Sequence, residues 1–412
     1  MASSPRRDGK RLLVLGAGPA QLGLLASARA SDAYVIAADR DPGAPGFRYV
    51  DRRAIVSAED EFGIERLAEA ERVDGLIAPG IDWPVAIAAR VADRLGLPHP
   101  ISPATGVLAT SKLKQRERFV SAGVPQPGYA LCRSAEDAAE AAERLGYPCV
   151  LKAPDRQGQR GLTLVRAPAD VRAAADEALA ASRGGLCIVE QYAPGREVTV
   201  NAFSQRGRFV PLTITDREVA EPPAFGVALA HIWPSSLPPA EIGRAVEAAA
   251  AAAAALGITD GPTYTQILAG PEGPRVAELA ARLGGGHDAE LCRAALNVDL
   301  NGLALRAALG EEITERALTP GARAGGACVR FLVPPEGTLA AVTGLDDALA
   351  LDGIELARSY RAPGYEFGRL RRGADRAGAI LAVGRDREEA LARAAGAIDL
   401  IRFETEHVEA LA

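Results

Sequence analysis

Two lysines in contrasting surroundings are the first residues whose chemistry calls for a partner. Lys112 opens a charged stretch, "SKLKQRERF", and Lys152 closes an apolar one, "CVLKAP". Burying an ammonium in such a strand is costly unless an anion meets it; the alternative is a side chain that snorkels from a strand edge. Directly after Lys152 comes "DRQGQRG". There Gly158 and Gly161 let backbone N–H groups converge on phosphate oxygens, and Arg160 adds charge. A solvent-exposed hairpin turn would be written the same way. The spacing is not that of a P-loop, which removes that class of nucleotide hydrolase.

A third group lies in "PTYTQILAGPEGPRVAELAARLGGG". The turn "AGPEGP" separates two strand-like runs, and a hairpin symmetric about Glu272 sets Gln266 opposite Glu278. Period-two alternation then places Glu278, Ala280 and Arg282 on one face. Oxygen ligands on two neighbouring strands suit magnesium, which takes a few carboxylates or carbonyls together with phosphates and water. Arg282 on that face would meet a phosphate or carboxylate in a bidentate manner. An exposed face with a Glu278–Arg282 salt bridge is the other arrangement the spacing allows.

The elements that must position these groups follow from the apolar pattern. From Arg11 to about Leu97, "RLLVLGAG", "YVIAADR", "RAIVS" and "GLIAPG" alternate with helical stretches, the last from Trp83 to Leu95. That alternation predicts a parallel sheet of about four strands covered on both faces. "GLPHPISP" reads as a linker. "YALC", "CVLKAP" and "GLTLV" follow as short strands, and "CIVEQYAPGREVTVNAF" and "GRFVPLTITDREV" as adjacent antiparallel ones. The alanine run from Glu241 to Leu256 is a plain helix, alanine having the best helix propensity. After Thr319-Pro320-Gly321 the chain restarts with "GGACVRFLV" and continues through "GAILAVGRDREEALARAAGAIDLI", a small C-terminal α+β domain. No internal repeat of 20–50 residues is visible.

The opening turn, "LGAGPAQLG", invites a dinucleotide reading. Its glycines are Gly16, Gly18 and Gly23, so Gln21 stands where the third glycine of G-x-G-x-x-G belongs. Asp39 lies near the distance a ribose-binding acid needs. A close strand–helix turn that helps to wall a substrate cleft is the other reading.

Bulk composition excludes several classes. A net charge of -6 with dispersed basic residues, beyond the short "PRRDGKR", argues against nucleic-acid binding. Cys132, Cys149, Cys187, Cys292 and Cys328 show no paired spacing, which fits buried thiols in a reducing cytoplasm. The N-terminal apolar stretch imitates a signal peptide but is broken by Gly16, Gly18 and Pro19. No apolar segment approaches the roughly 20 residues that span a membrane. The sequence therefore leads us to expect a soluble cytoplasmic protein.

Taken together, "SKLKQRERFVSAGVPQPGY", "YPCVLKAPDRQGQRGLTLV", "IVEQYAPGREVTV" and "VAELAARLGGG" resemble the ordered motifs of the ATP-grasp superfamily. The resemblance covers most of the chain. It implies a Rossmann-like N-terminal domain (1–105), a two-lobed ATP-grasp domain (106–320, mobile lobe about 125–188) and a small C-terminal α+β domain (321–412) similar to that of L-amino-acid ligases. Lys112 and Lys152 would contact the ATP phosphates, under the loop with Gly158, Arg160 and Gly161. Glu190 and the backbone at Gln191 and Tyr192 would hold adenine, and Glu197 the ribose. Gln266 and Glu278 would bind Mg2+, and Arg282, with Lys152, would act on the reacting carboxylate. "ALAHIWPSSLP" and "RLGGGHD" resemble ligase substrate segments, which would bring His231, Gly285 and His287 to the pocket; either histidine also suits a purely structural hydrogen bond.

Two positions depart from the family pattern. The first metal position is Gln266 rather than Glu, as carbamoyl-phosphate synthetases resemble this sequence in having, and the usual Asn is Ala280. The resemblance implies an ATP- and Mg-dependent carboxylate–amine ligase acting on small-molecule acid and amine substrates through an acyl-phosphate, in a homodimer. A carboxyphosphate-forming enzyme of the biotin-carboxylase or purine type is the alternative, and a non-catalytic nucleotide-binding protein the third.

Overall fold

The computed structural model describes residues 9–406, so Pro5–Asp8 of the basic "PRRDGKR" stretch lie outside the described residues. The chain begins with a parallel sheet of β1 (Arg11–Leu15), β2 (Tyr34–Ala38), β3 (Arg52–Ala54) and β4 (Gly75–Ile77), in the order β3-β2-β1-β4. Leu12 to Leu15 are fully buried, the signature of a strand covered on both faces. The sheet stops at four strands, as the alternation predicts.

The turn after β1 is closed to a dinucleotide. Gln21 is fully buried and donates from Nε2 to Pro79 O at 2.7 Å. Its side chain fills the space beside Gly16, where a Cβ would meet Gln21 Cδ at 3.0 Å. Asp39 is equally committed, accepting from Ala17 N at 2.8 Å and Asp41 N at 3.0 Å. The glycines thus serve the tight turn, and Gly18–Gln21 wall a chamber described below.

A second sheet is antiparallel throughout: β5 (Tyr129–Cys132), β6 (Cys149–Lys152), β7 (Leu162–Val165) and β8 (Cys187–Gln191), ordered β5-β8-β6-β7. Helices Ala135–Leu145 and Val171–Ala181 cover it through Ala138, Ala142, Ala175 and Ala178. The central sheet is larger. It contains β9 (Arg196–Gln205), β10 (Arg208–Val219), β11 (Ala228–Trp233), β12 (Gly261–Gly270), β13 (Gly273–Ala280), β14 (Gly326–Leu332), then, past β15 (Gly337–Thr343), β16 (Ile354–Ser359) and, past β17 (Glu366–Phe367), β18 (Gly378–Gly384). Its order is β13-β12-β9-β10-β11-β14-β18-β16, while β17, β15 and β19 (Arg402–Glu406) form a small third sheet.

Two details go beyond the sequence reading. "CIVEQYAPGREVTV" is not one strand partner of β10: its first half is β8 in the smaller sheet and its second half is β9 in the central one. Likewise the C-terminal strands β14, β16 and β18 extend the central sheet, β14 pairing directly with β11. The alanine-rich helix Pro239–Ala255 buries Ala245, Ala248, Ala249 and Ala252, small side chains that allow close approach to the sheet. Among the described residues no helix is long and apolar enough to cross a membrane.

Gly195 is the pivot between β8 and β9. Its φ is +147°, and a Cβ there would lie 2.3 Å from Ala269 O. Gly195→Ala is therefore expected to cost about 1–3 kcal/mol of stability in urea denaturation. An unchanged midpoint would show that the crossing can part to admit a methyl group.

Candidate active site

The helix Lys112–Ala122 starts at an N-cap serine, Ser111, and ends at Gly123 in the left-handed region. Its first two turns aim Lys112 and Arg116, four residues apart, along one side. Lys112 Nζ donates to Arg156 O at 2.7 Å and pairs with Glu278 Oε1 at 3.0 Å. Arg116 is 1% exposed, and its Nε reaches Glu190 Oε1 at 2.7 Å. Its terminal nitrogens donate to Val276 O at 2.9 Å and Ala277 O at 2.6 Å.

Those two carbonyls explain the register of the hairpin. Pairing runs from Gly270–Gly273 upward, so the turn is centred between Pro271 and Glu272 rather than on Glu272. An extra residue, Ala277, shifts the ladder, and Gln266 falls opposite Glu278 after all. A bulge leaves ladder groups unpaired, and Arg116 satisfies them. Sequence pattern gave no sign of the bulge, although the Lys112–Arg116 spacing was visible.

Lys152 pairs with Glu190 Oε2 at 2.8 Å, the oxygen that Arg116 leaves free. Burial works against ionised Glu190, yet Arg116 and Lys152 together hold its pKa down at about 2. Lys152 is under-compensated: burial, with Arg116 and Lys112 nearby, pushes it down to about 8 against the pull of Glu190. Glu278 is likewise held below the ordinary carboxylate range, burial being overcome by Lys112 and Lys152.

Arg282 does not pair with Glu278. It grips Asp82 through Nε at 2.8 Å and Nη2 at 2.6 Å, and its guanidinium lies 5.4 Å from the centre of the Tyr264 ring. Asp82 precedes the helix Trp83–Arg94 of the first sheet's layer, and its own N–H donates to Gln157 Oε1 at 2.7 Å. Burial raises the Asp82 pKa, partly offset by Arg282. Neither Asp82 nor the Arg217 that pairs with Glu197 was singled out from sequence.

A cleft of about 200 Å3 is lined by both lysines, Glu190, Gln191, Tyr192 and Glu197, and by Gly158 and Arg160 of the glycine loop. Gln266, Glu278, Ala280 and Arg282 form its other wall, with Asp82 beside them. Lys112, Lys152, Arg116 and Arg282 face Glu190, Glu278 and Asp82 in this cluster, so one positive charge is left over for an anion. Gly158 has φ +66° and open space where a Cβ would point. Gly161 does not line this cleft; it packs at the base of the loop, where a Cβ would meet Ala181 Cβ at 2.8 Å.

A second chamber of about 310 Å3 shares Gln266, Arg282, Gly158 and Arg160 with the first and adds His231 and Gly285. His231 Nδ1 hydrogen-bonds Asp288 Oδ1 at 2.9 Å. His287 lines neither space. It is buried between Glu290 (3.2 Å) and the Tyr360 hydroxyl (2.6 Å), tying the helix Asp288–Leu296 to the C-terminal segment. That is the structural alternative for this residue, and it removes His287 from the pocket.

No cluster of three or more His, Cys, Asp or Glu that could hold a metal occurs among the described residues. A cation would depend on Glu278, on Gln266, whose amide nitrogen points to Tyr264 Oη at 3.4 Å, and on ligand oxygens. One carboxylate, one amide oxygen, phosphates and water fit the preference of magnesium. Ala280 is buried opposite Tyr264 and offers nothing.

Comparison with known proteins gives two family matches: an ATP-grasp domain over residues 117–258 and an L-amino acid ligase C-terminal domain 2 over residues 330–406. The uncharacterized protein y4rH of Sinorhizobium fredii is 30% identical over 327 residues, 76% of this chain and 65% of that one. A formate-dependent phosphoribosylglycinamide formyltransferase of Methylococcus capsulatus is 32% identical over 181 residues, 43% of this chain and 45% of its own. The chain thus spans less than two thirds of the first relative and under half of the second. The crystal structure of an L-amino acid ligase from Bacillus licheniformis superposes with a TM-score of 0.81 at 20% identity, covering 97% of this chain and 99% of that one. At that identity the likeness is one of fold.

Replacing Arg116 with Met would leave Glu190 and two bulge carbonyls buried without their donor. A loss of about 3–5 kcal/mol in urea denaturation is expected, against little change for Arg275→Met, whose contacts are exposed.

Proposed function

This chain belongs to the ATP-grasp superfamily and carries an L-amino acid ligase C-terminal domain 2, and from that premise we propose that it is an ATP- and Mg-dependent carboxylate–amine ligase. The observation that carries the proposal is the facing of Gln266 and Glu278 between Lys112 and Arg282, at the junction of the two chambers.

The first chamber takes ATP. Lys152 and Lys112 meet the phosphates, the Gly158 loop closes over them through its backbone N–H groups, and the Gln191–Tyr192 segment holds the base. Glu190 is already committed to Arg116 and Lys152, so its part is to position Lys152, and adenine falls to the backbone beyond it. Glu197 reaches the ribose hydroxyls while paired with Arg217. Magnesium on Glu278 and Gln266, when bound, neutralises charge that builds up on the phosphates.

An acid substrate places its carboxylate at Arg282, which Asp82 holds in orientation. One carboxylate oxygen attacks the γ-phosphorus, the bond to the β-bridging oxygen breaks, and ADP departs. The acyl-phosphate carbon is then attacked by the neutral amine, the C–O bond to phosphate breaks, and the amine loses a proton as the amide forms. A carboxylate alone is a poor electrophile, so the work of the site is to offset charge during phosphoryl transfer.

Incubation with Mg-ATP, an acid pool and an amine pool should release phosphate and yield amides by mass spectrometry. If formate or bicarbonate is the one acid that stimulates turnover, the formyl- or carboxyphosphate chemistry of the relatives applies instead. Glu278→Gln is expected to lower turnover by about 100-fold or more, with the fold intact by circular dichroism. ATP affinity should also follow the charge of Lys152. Because burial holds that ammonium at about 8, its charged fraction falls as pH rises through that value. Calorimetry should therefore show binding constant below about pH 7 and weakening by up to about tenfold per unit above pH 8, a dependence that Lys152→Met abolishes.

A further inference from the structure

The second chamber has a charge pattern that ATP does not explain. Arg160, Arg217, Arg282, Arg361, Arg372 and Arg376 line it, and among the described residues no aspartate or glutamate does. Glu197, Asp82 and Asp375 pair with Arg217, Arg282 and Arg372 from outside that lining. Arg160, Arg361 and Arg376 pair with no carboxylate among the described residues. Three guanidinium groups without a carboxylate ion-pair partner therefore stand around one half-open space.

Two of these arginines belong to this chamber alone. Arg361 and Arg376 do not reach the nucleotide cleft. Arg376 stacks on Phe331 at 3.7 Å and spends donors on Gly373 O at 2.8 Å and Ala228 O at 3.2 Å. Burial lowers its pKa, and Arg217 lowers it further. Arg361 gives one nitrogen to Ala374 O at 3.0 Å and leaves Nε buried with no acceptor, as does Arg217. Unsatisfied guanidinium N–H groups cost free energy unless an anion completes them.

We propose that this chamber selects a substrate bearing a second anionic group, a carboxylate or a phosphate, in addition to the carboxylate that is activated, with Arg361 and Arg376 as its clamp. The proposal rests on the ligase reading for what happens to the first carboxylate, but not for the binding itself. A substrate of one carboxylate would be met by Arg282 and leave the clamp empty. A dicarboxylate or a phosphorylated acid fills both ends.

Isosteric pairs that differ in one charge test this: glutamate and glutamine, aspartate and asparagine, phosphoserine and serine. Each is titrated calorimetrically into the full chain with a non-hydrolysable ATP analogue and Mg2+, and each is assayed for phosphate release with ATP and an amine pool. The charged member of at least one pair should bind about 10-fold or more tightly than its neutral isostere, and the pair concerned tells carboxylate from phosphate. Arg361→Gln should erase that preference without changing the affinity for the ATP analogue, and Arg361→Lys should restore part of it. Charged members that bind but drive no phosphate release would uphold the clamp and defeat the ligase reading. Neutral and charged members that turn over alike, or no binding by any pair, would overturn the clamp, and turnover in the first case would leave the ligase reading standing.

Discussion

Glu190 shares one buried negative charge between Arg116 and Lys152, and much of the site hangs on that division. Arg116 brings the helix Lys112–Ala122 against β8 and β13 and satisfies the carbonyls of the bulge. Once the bulge is fixed, Glu278 stands opposite Gln266 and within reach of Lys112. The same carboxylate keeps Lys152 charged enough to be useful and too poorly compensated to be content. A buried pair of this kind contributes little net stability; here its consequence is an ammonium that its carboxylate compensates only in part.

The first sheet's layer is coupled to this chemistry through one short segment. Asp82, at the end of the loop after β4, holds Arg282 with its carboxylate and the glycine loop with its N–H, through Gln157. Three parts of the chain remote in sequence therefore meet at the wall between the two chambers. Movement of the loop over a nucleotide would be felt at Asp82 and hence at Arg282, the residue proposed to orient the acid. Ala280 offers no side-chain oxygen beside Gln266 and Glu278, while Asp82 adds a carboxylate to the same cleft.

Much of this was legible in sequence where a residue type is unusual for its surroundings. Lys152 in an apolar strand, Gly158 of "DRQGQRG" and the alternation of Glu278, Ala280 and Arg282 all point to the cleft they line. The four parallel strands follow from their unbroken apolar runs. What escaped depends on non-local geometry. The bulge at Ala277 is set by Arg116, more than 150 residues away, and no local pattern encodes it. Asp82 and Arg217 look like ordinary surface charges until the fold brings partners to them. The C-terminal strands read as a separate unit because sequence shows strands but not which sheet they join. His287 followed glycines that line the second chamber, yet its left-handed backbone turns it towards Tyr360.

In the proposed reaction a carboxylate oxygen is phosphorylated at the junction of the two chambers. The most direct measurement uses whichever acid drives turnover, labelled with 18O in its carboxylate, and follows the isotope in the inorganic phosphate by mass spectrometry. Phosphorylation of the carboxylate transfers one labelled oxygen to each phosphate released. Amide formed together with unlabelled phosphate would contradict it.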